Sequence, residues 1–244
     1  MGSTQVRGCF LRRAGSLVCV LGISSLVACS SGSSYGNSTA TASAQTSAGY
    51  QLDPAVTSLR FNADAASVDL TAKEGASAIS VTEDTHGATT NKEVTGSNAV
   101  LTSKCPEGIN FGNSCRVDYT VTVPPRTSVD IEGAAGNISL TGPLANATVN
   151  TAAARINGTG LGAGTISATT NAGQVDLAFA AAPTSVQVKS DAGEVTLTLP
   201  GAEKYNVTVK TTLGSQDVSV DKDAASTHRI DVTTTIGAVT VKKG

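Results

Sequence analysis

One short phrase recurs along the second half of the chain. It reads Ala135-Gly136-Asn137-Ile138-Ser139-Leu140, then Ala172-Gly173-Gln174-Val175-Asp176-Leu177, then Ala192-Gly193-Glu194-Val195-Thr196-Leu197, and late in the chain Ile236-Gly237-Ala238-Val239-Thr240-Val241. Two weaker copies fill the gaps. Ala153-Ala154-Arg155-Ile156 lacks the glycine, and Leu213-Gly214 reaches Val218 and Val220 with a short insertion. The phrase falls at positions 136, 154, 173, 193, 214 and 237. That is a period of about 20 residues, lengthening slowly toward the C-terminus, in the range of solenoid repeats. Five positions ahead of each stands a second apolar anchor: Ile131, Val149, Ala168, Val188, Val209 and Val232. A unit this short holds two strands and a small-residue corner, where glycine accepts a positive φ at little cost. Alone it cannot bury an apolar face; stacked copies bury a continuous one.

The fold class this predicts is all-β: a β-solenoid, a single-stranded β-helix wound right-handed, with coils of about 20 residues and rungs about 4.8 Å apart. An antiparallel β-sandwich also uses short alternating strands, and the fixed corner phrase favours the solenoid. Inward positions follow from the alternation: Ile138, Leu140, Val175, Leu177, Val195, Leu197, Val218, Val220, Val239 and Val241 on one sheet, and Val129, Ile131, Val186, Val188, Val207, Val209, Ile230 and Val232 on the other. If coils stack in sequence order, Val195 lies between Val175 and Val218, and Thr196 between Asp176 and Ser219. Leu59 to Leu70 fits the same template. The stretch on to Pro125 is less regular and reads as larger coils or a cap, ending where Pro124-Pro125 breaks a strand. Lys242 and Lys243 charge the final strand, which discourages end-to-end pairing.

Met1 to Ala28 includes no Asp or Glu. Arg7, Arg12 and Arg13 precede an apolar run, Ser16 to Ala28, the shape of a secretory signal. Leu26-Val27-Ala28-Cys29 resembles the bacterial lipoprotein lipobox. The resemblance implies an acylated Cys29 as first mature residue, several acyl chains in a lipid bilayer, and a site on the extracytoplasmic face of the cell membrane. Ser30 to Tyr50 is uncharged and rich in Ser, Gly, Thr and Ala, which predicts a flexible tether. The organisation expected is thus 1–28 signal peptide, 29–51 acylated cysteine and tether, and 52–244 solenoid domain, divided into 52–125 irregular and 126–244 regular coils.

Of the five cysteines, Cys9 and Cys19 would leave with the signal. Cys105 and Cys115 remain to pair in an oxidising compartment. A bridge there is worth about 2–4 kcal/mol in the chain-entropy model. The rival is a metal site, and neither His nor a second Cys pair lies near in sequence.

The lipobox, the tether, the Cys pair ahead of Val117-Asp118-Tyr119-Thr120-Val121-Thr122-Val123-Pro124-Pro125, and the repeated phrase together resemble the bacterial "putative adhesin" β-repeat family, a domain of unknown function. The likeness covers most of residues 52–244. Members carry Asp after the glycine more often; here the residues are Asn137, Gln174 and Glu194. The resemblance implies a surface module for adhesion or envelope binding.

Chemistry is sparse. The chain has 17 Lys and Arg against 19 Asp and Glu; losing Arg7, Arg12 and Arg13 with the signal takes the net charge from -2 to -5. With 3% aromatics this disfavours nucleic acid. The outward ladders expected are Asp130, Thr148, Ser167, Gln187, Thr208, Asp231 and Ser139, Asn157, Asp176, Thr196, Ser219, Thr240. No adjacent rungs are both charged, so these faces lack the carboxylate pair of a glycosidase. Asp221 and Asp223 around Lys222, with His228 near, and Glu83-Asp84 beside His86 could hold a cation or a proton, but read better as solvated loops. Hydroxyl ladders that order water are a further, weaker idea; β-propensity and solubility explain Thr there. No catalytic residue, cofactor or metal site is expected. The functional expectation is a non-enzymatic module binding an envelope glycan or protein; the alternative is a polysaccharide-acting enzyme on the same scaffold.

Overall fold

The computed structural model of the chain describes residues 45–106 and 115–244. The signal, Cys29 and most of the tether lie outside the described residues. Sixteen strands follow in order: β1 (Gln45–Gln51), β2 (Ser58–Ala72), β3 (Ser80–His86), β4 (Thr89–Thr95), β5 (Asn98–Lys104), β6 (Arg116–Val123), β7 (Ser128–Thr141), β8 (Asn146–Leu161), β9 (Thr165–Ala172), β10 (Val175–Phe179), β11 (Ser185–Ala192), β12 (Val195–Leu199), β13 (Asn206–Leu213), β14 (Gln216–Val218), β15 (Arg229–Ile236) and β16 (Val239–Lys243). No helix occurs among the described residues.

The regular coils stack as parallel rungs around one apolar core. Ser128 pairs with Asn146, Asn146 with Thr165 and Thr165 with Ser185, so each step along the stack is one repeat of the phrase. Each coil has two arms meeting at the corner glycine. In β2, β7 and β8 one long strand runs through the corner; later coils split into a first arm and a second arm, such as β9 and β10. The expected inward residues are inward: Ile138, Val175, Leu177, Val195, Leu197, Val186, Val188, Ile230, Val232, Val239 and Val241 are all buried.

The corner glycines are required for more than their φ. Gly136, Gly173, Gly193, Gly214 and Gly237 have φ between 148° and 152°. A Cβ on any of them would meet a backbone carbonyl oxygen of the adjacent coil, 1.7 Å away at Gly136 and 1.8 Å at Gly193. Close stacking at these five corners therefore excludes a side chain.

The order of stacking differs from the sequence at both ends. The C-terminal coil, β15–β16, does not sit last. It inserts between β11–β12 and β13–β14: β15 pairs with both β11 and β13, and β16 with both β12 and β14. Val195 is accordingly flanked by Val175 and Val239, not Val218, and Thr196 by Asp176 and Thr240, not Ser219. The copies of the phrase present near-identical apolar surfaces, so any coil can dock on any other, and loop length decides the order. The 200–205 loop skips one rung and the 219–228 loop returns to it. Lys242 and Lys243 are therefore on an interior strand; the edge belongs to β13, with Lys210, and to β14, with Asp217. Val207, Val209 and Val218 on that last rung are only half-buried, while Val220 is buried.

The N-terminal end repeats the device. β2 forms one full coil and is flanked by β7 on one side and by β5 and β6 on the other. The chain thus travels outward from β2 before crossing back at Pro124-Pro125. What was expected as irregular coils is one further coil, β5 and β6 joined through the cysteines, covered by antiparallel strands: β4 on β5, β3 on β6 and β1 on β3. β1 departs from the tether expectation, since Gln45–Gln51 are a strand. Their residues are mostly exposed, so backbone pairing, not apolar burial, orders them. Tyr50 is the exception. Its hydroxyl donates to the buried Glu83 carboxylate, and Lys92 Nζ lies 4.0 Å from the centre of its ring.

Candidate binding surface

Two flat polar faces run along the stack. On the first-arm face one row reads Arg60, Asp130, Thr148, Ser167, Gln187, Asp231, Thr208. The next reads Asn62, Glu132, Asn150, Thr169, Lys189, Thr233, Lys210. The expected row had Thr208 and Asp231 in the opposite order and stopped short of Arg60. That addition matters: Arg60 lies 3.5 Å from Asp130 and 2.8 Å from Glu132, so neighbouring rungs at this end are both charged. The pairs are exposed and of opposite sign, which makes them surface ion pairs worth little in stability. The middle of the face, over β8 and β9, is uncharged: Asn146, Thr148, Asn150, Thr165, Ser167 and Thr169. On the second-arm face the row is Asp69, Ser139, Asn157, Asp176, Thr196, Thr240, Asp217. Thr240 stands beside Thr196, where Ser219 was expected, and Asp217 rather than Ser219 carries the last rung.

The other candidates are occupied in holding the fold. Asp221 pairs with Lys243 at 2.9 Å. Asp223 accepts the Ala225 N–H and caps a turn. His228 Nδ1 is 2.8 Å from the Pro183 carbonyl oxygen, and its ring lies against Tyr205, which is fully buried and whose hydroxyl donates to the Pro200 carbonyl. His86 and Arg116 converge on Asp118, at 3.4 Å and 3.0 Å, and Asp84 stands across from Asp118 in the β3–β6 ladder. Glu83, its sequence neighbour, points the other way, into the cap. Cys105 and Cys115 are joined by a disulfide, with Cα atoms 5.8 Å apart. It closes the corner of the outermost coil, where an AG phrase is lacking. Among the described residues no group of three or more His, Cys, Asp or Glu side chains could hold a metal ion.

Burial pushes the Tyr119 hydroxyl up to about 12, reinforced by the Glu83 carboxylate. Burial also raises Tyr50, whose hydrogen bond and charge contact with Glu83 act in the same direction. Both rings therefore stay neutral at neutral pH. Tyr50 serves the cap as a donor, and Tyr119 packs edge-on against Phe61.

A row that the alternation did not reveal lies inside the tube. Three positions before each corner stand Thr151, Thr170, Ser190, Thr234 and Thr211, paired rung to rung. The first four are buried. Thr170 Oγ1 donates to the Ala172 carbonyl and Thr211 Oγ1 to that of Gly237. Thr151, Ser190 and Thr234 find no partner. The signal was present in the sequence as a Ser or Thr at a constant offset from the phrase.

Residues 127–242 match the family model described as Toastrack DUF4097. Among solved structures, a "putative cell adhesion protein" from Clostridium sporogenes ATCC 15579 is 14% identical with a TM-score of 0.49, over 82% of this chain and 100% of that one. A "putative adhesin" from Bacteroides fragilis NCTC 9343 is 9% identical with a TM-score of 0.46, over 82% of this chain and 97% of that one. No curated protein matches. The family match thus spans the coils from β7 onward.

Proposed function

We propose that the protein is a lipid-anchored lipoprotein of the extracytoplasmic face of the cell membrane, and that its solenoid binds an envelope glycan or a partner protein without performing chemistry. The observation that carries the reading is the first-arm face. Over β8 and β9 it offers hydroxyl and amide groups on a plane set by the rung spacing of about 4.8 Å, with charges only towards its ends. Such an array suits multiple weak polar contacts to an extended partner. The lipobox at Leu26 to Cys29 supports the anchor, and the acyl chains on Cys29 would hold the face near the envelope. Right-handed winding belongs to the same reading, since parallel crossovers are almost always right-handed.

The test is capture from native envelope by the full chain. A defined glycan or protein should be retained intact, and replacing Thr148 and Ser167 together by Lys should lower retention about tenfold, the loss expected when a polar contact surface is obstructed by unmatched charge. A captured glycan that emerges shortened would show an enzyme instead. Replacing Cys29 by Ser should leave uncleaved, unacylated precursor by mass spectrometry; an unmodified mature terminus in the native protein would remove the anchor.

A further inference from the structure

We propose that the loop side of the solenoid, away from both polar faces, carries a second site: a cleft that takes the free carboxyl end of a short peptide with methyl side chains, with Arg126 as its carboxylate-binding group. The cleft encloses about 330 Å³ across the loops of successive coils, within the range of small-molecule sites. Its walls are Pro143, Leu144, Ala145, Ala163 and Ala181, and Arg126 is the one charged residue that lines it.

Arg126 is held at a cost. It is the third residue of a turn closed by Thr127 N–H on the Pro124 carbonyl at 3.3 Å, and its φ is 66°. A turn of this kind with proline second favours glycine or asparagine third. Arg126 is the one non-glycine residue with positive φ among the described residues. Strain kept at the rim of a cleft points to a function for the side chain. No carboxylate of the described residues pairs with it. The N–H groups of Gly162, Ala163 and Gly164, in the same lining, meet no backbone acceptor among the described residues.

The chemistry of the occupant follows. One guanidinium suits one carboxylate in bidentate contact. A polyanion would meet too few cations on a body with this excess of acidic residues. Walls of Ala, Gly, Pro and Leu offer an apolar surface suited to methyl groups. Three rung steps of about 4.8 Å give roughly 14 Å, the length of about four extended residues.

The site rests on reading the protein as a binding module, but not on the polar faces or the anchor. The experiment titrates isotope-labelled full chain with tri-alanine and with tri-alanine amide, following backbone amide resonances. Shifts should concentrate at Gly162, Ala163 and Gly164, with affinity in about the millimolar range, and the amide should bind about tenfold more weakly, as expected when one charged contact is removed. Arg126→Gly should lose binding to a similar extent while melting at the same or a higher temperature, because the turn prefers glycine. Arg126→Gln keeps a long side chain and should lose binding as well. Equal binding of acid and amide, unchanged affinity in both variants, or shifts confined to the polar faces would each overturn the site. Envelope capture that survives when tri-alanine fails to bind sinks this site alone; tri-alanine binding that survives the loss of envelope capture sinks the reading of the faces alone.

Discussion

A methyl group on Gly193 would stand 1.8 Å from the Gly173 carbonyl oxygen, and φ there is 152°. Gly193→Ala should therefore cost about 3 kcal/mol or more, since strain and overlap act together; a melt indistinguishable from that of the native protein would contradict this. At the next position but one the same logic of register holds. Val195 is buried between Val175 and Val239, so Val195→Asp buries an unpaired carboxylate and should cost several kcal/mol, on the order of 3–5. Thr196 beside it faces outward, and Thr196→Asp should cost only about 0.5–1 kcal/mol, with Asp176 adding some repulsion. Denaturant midpoints of the pair decide the register, and equal mild effects would refute it. The inner hydroxyl row separates its members in the same way. Thr234 Oγ1 is unpartnered, so Thr234→Val should be neutral or stabilising, whereas Thr170→Val forfeits a bond to Ala172 and should cost about 1 kcal/mol. Most of this scale was legible in the sequence, because alternation fixes inward from outward. The carbonyl behind each glycine was not, since it belongs to a different coil.

At the scale of the element, each coil is a module with matched ends. Deleting Gly173 to Ala192 rejoins equivalent positions of two neighbouring coils, and should be better tolerated than deletion of half that length from the same region, which shifts every later arm out of register. Far-ultraviolet dichroism and melting temperature would read this directly. The two C-terminal coils behave differently. Among the described residues β13 and β14 pair only with β15 and β16, so removing residues 229–244 should also strip order from 206–218. Hydrogen exchange on the truncated chain should show both coils unprotected and β11–β12 still protected; retained protection over 206–213 would contradict the topology. The sequence did not reveal this order because Val218 and Val239 offer β12 the same surface. Its one trace was the lengthening of the last two intervals, from 193 to 214 and from 214 to 237. β1 was missed for another reason: QTSAGYQ has no apolar alternation, and a strand held by backbone pairing leaves little mark in composition.

The described residues form a stack covered by a polar cap beside β5 and β6 and open-edged at β13 and β14. The cap makes stability sensitive to alkali. Tyr119 is raised to about 12 in the fold from an ordinary value near 10, so its contribution is fully present below pH 10 and is lost as pH rises from there through 12. The melting temperature should fall across that window, and less steeply in Tyr119→Phe; parallel profiles would show that the cap does not govern it. The solenoid itself could be read from the repeat alone, whereas the reversal of coil order at each end arises from loop lengths and long-range docking that no local pattern records. That reversal bears on how the protein comes apart. In an ordinary stack the coil last in sequence is also last in space and can fray first. Here β15–β16 are clamped on both sides, so a processive protease pulling from the C-terminal side must tear two interfaces together before it gains its first strand. A strand that would otherwise be the easiest handle on the stack becomes a rung guarded by its neighbours.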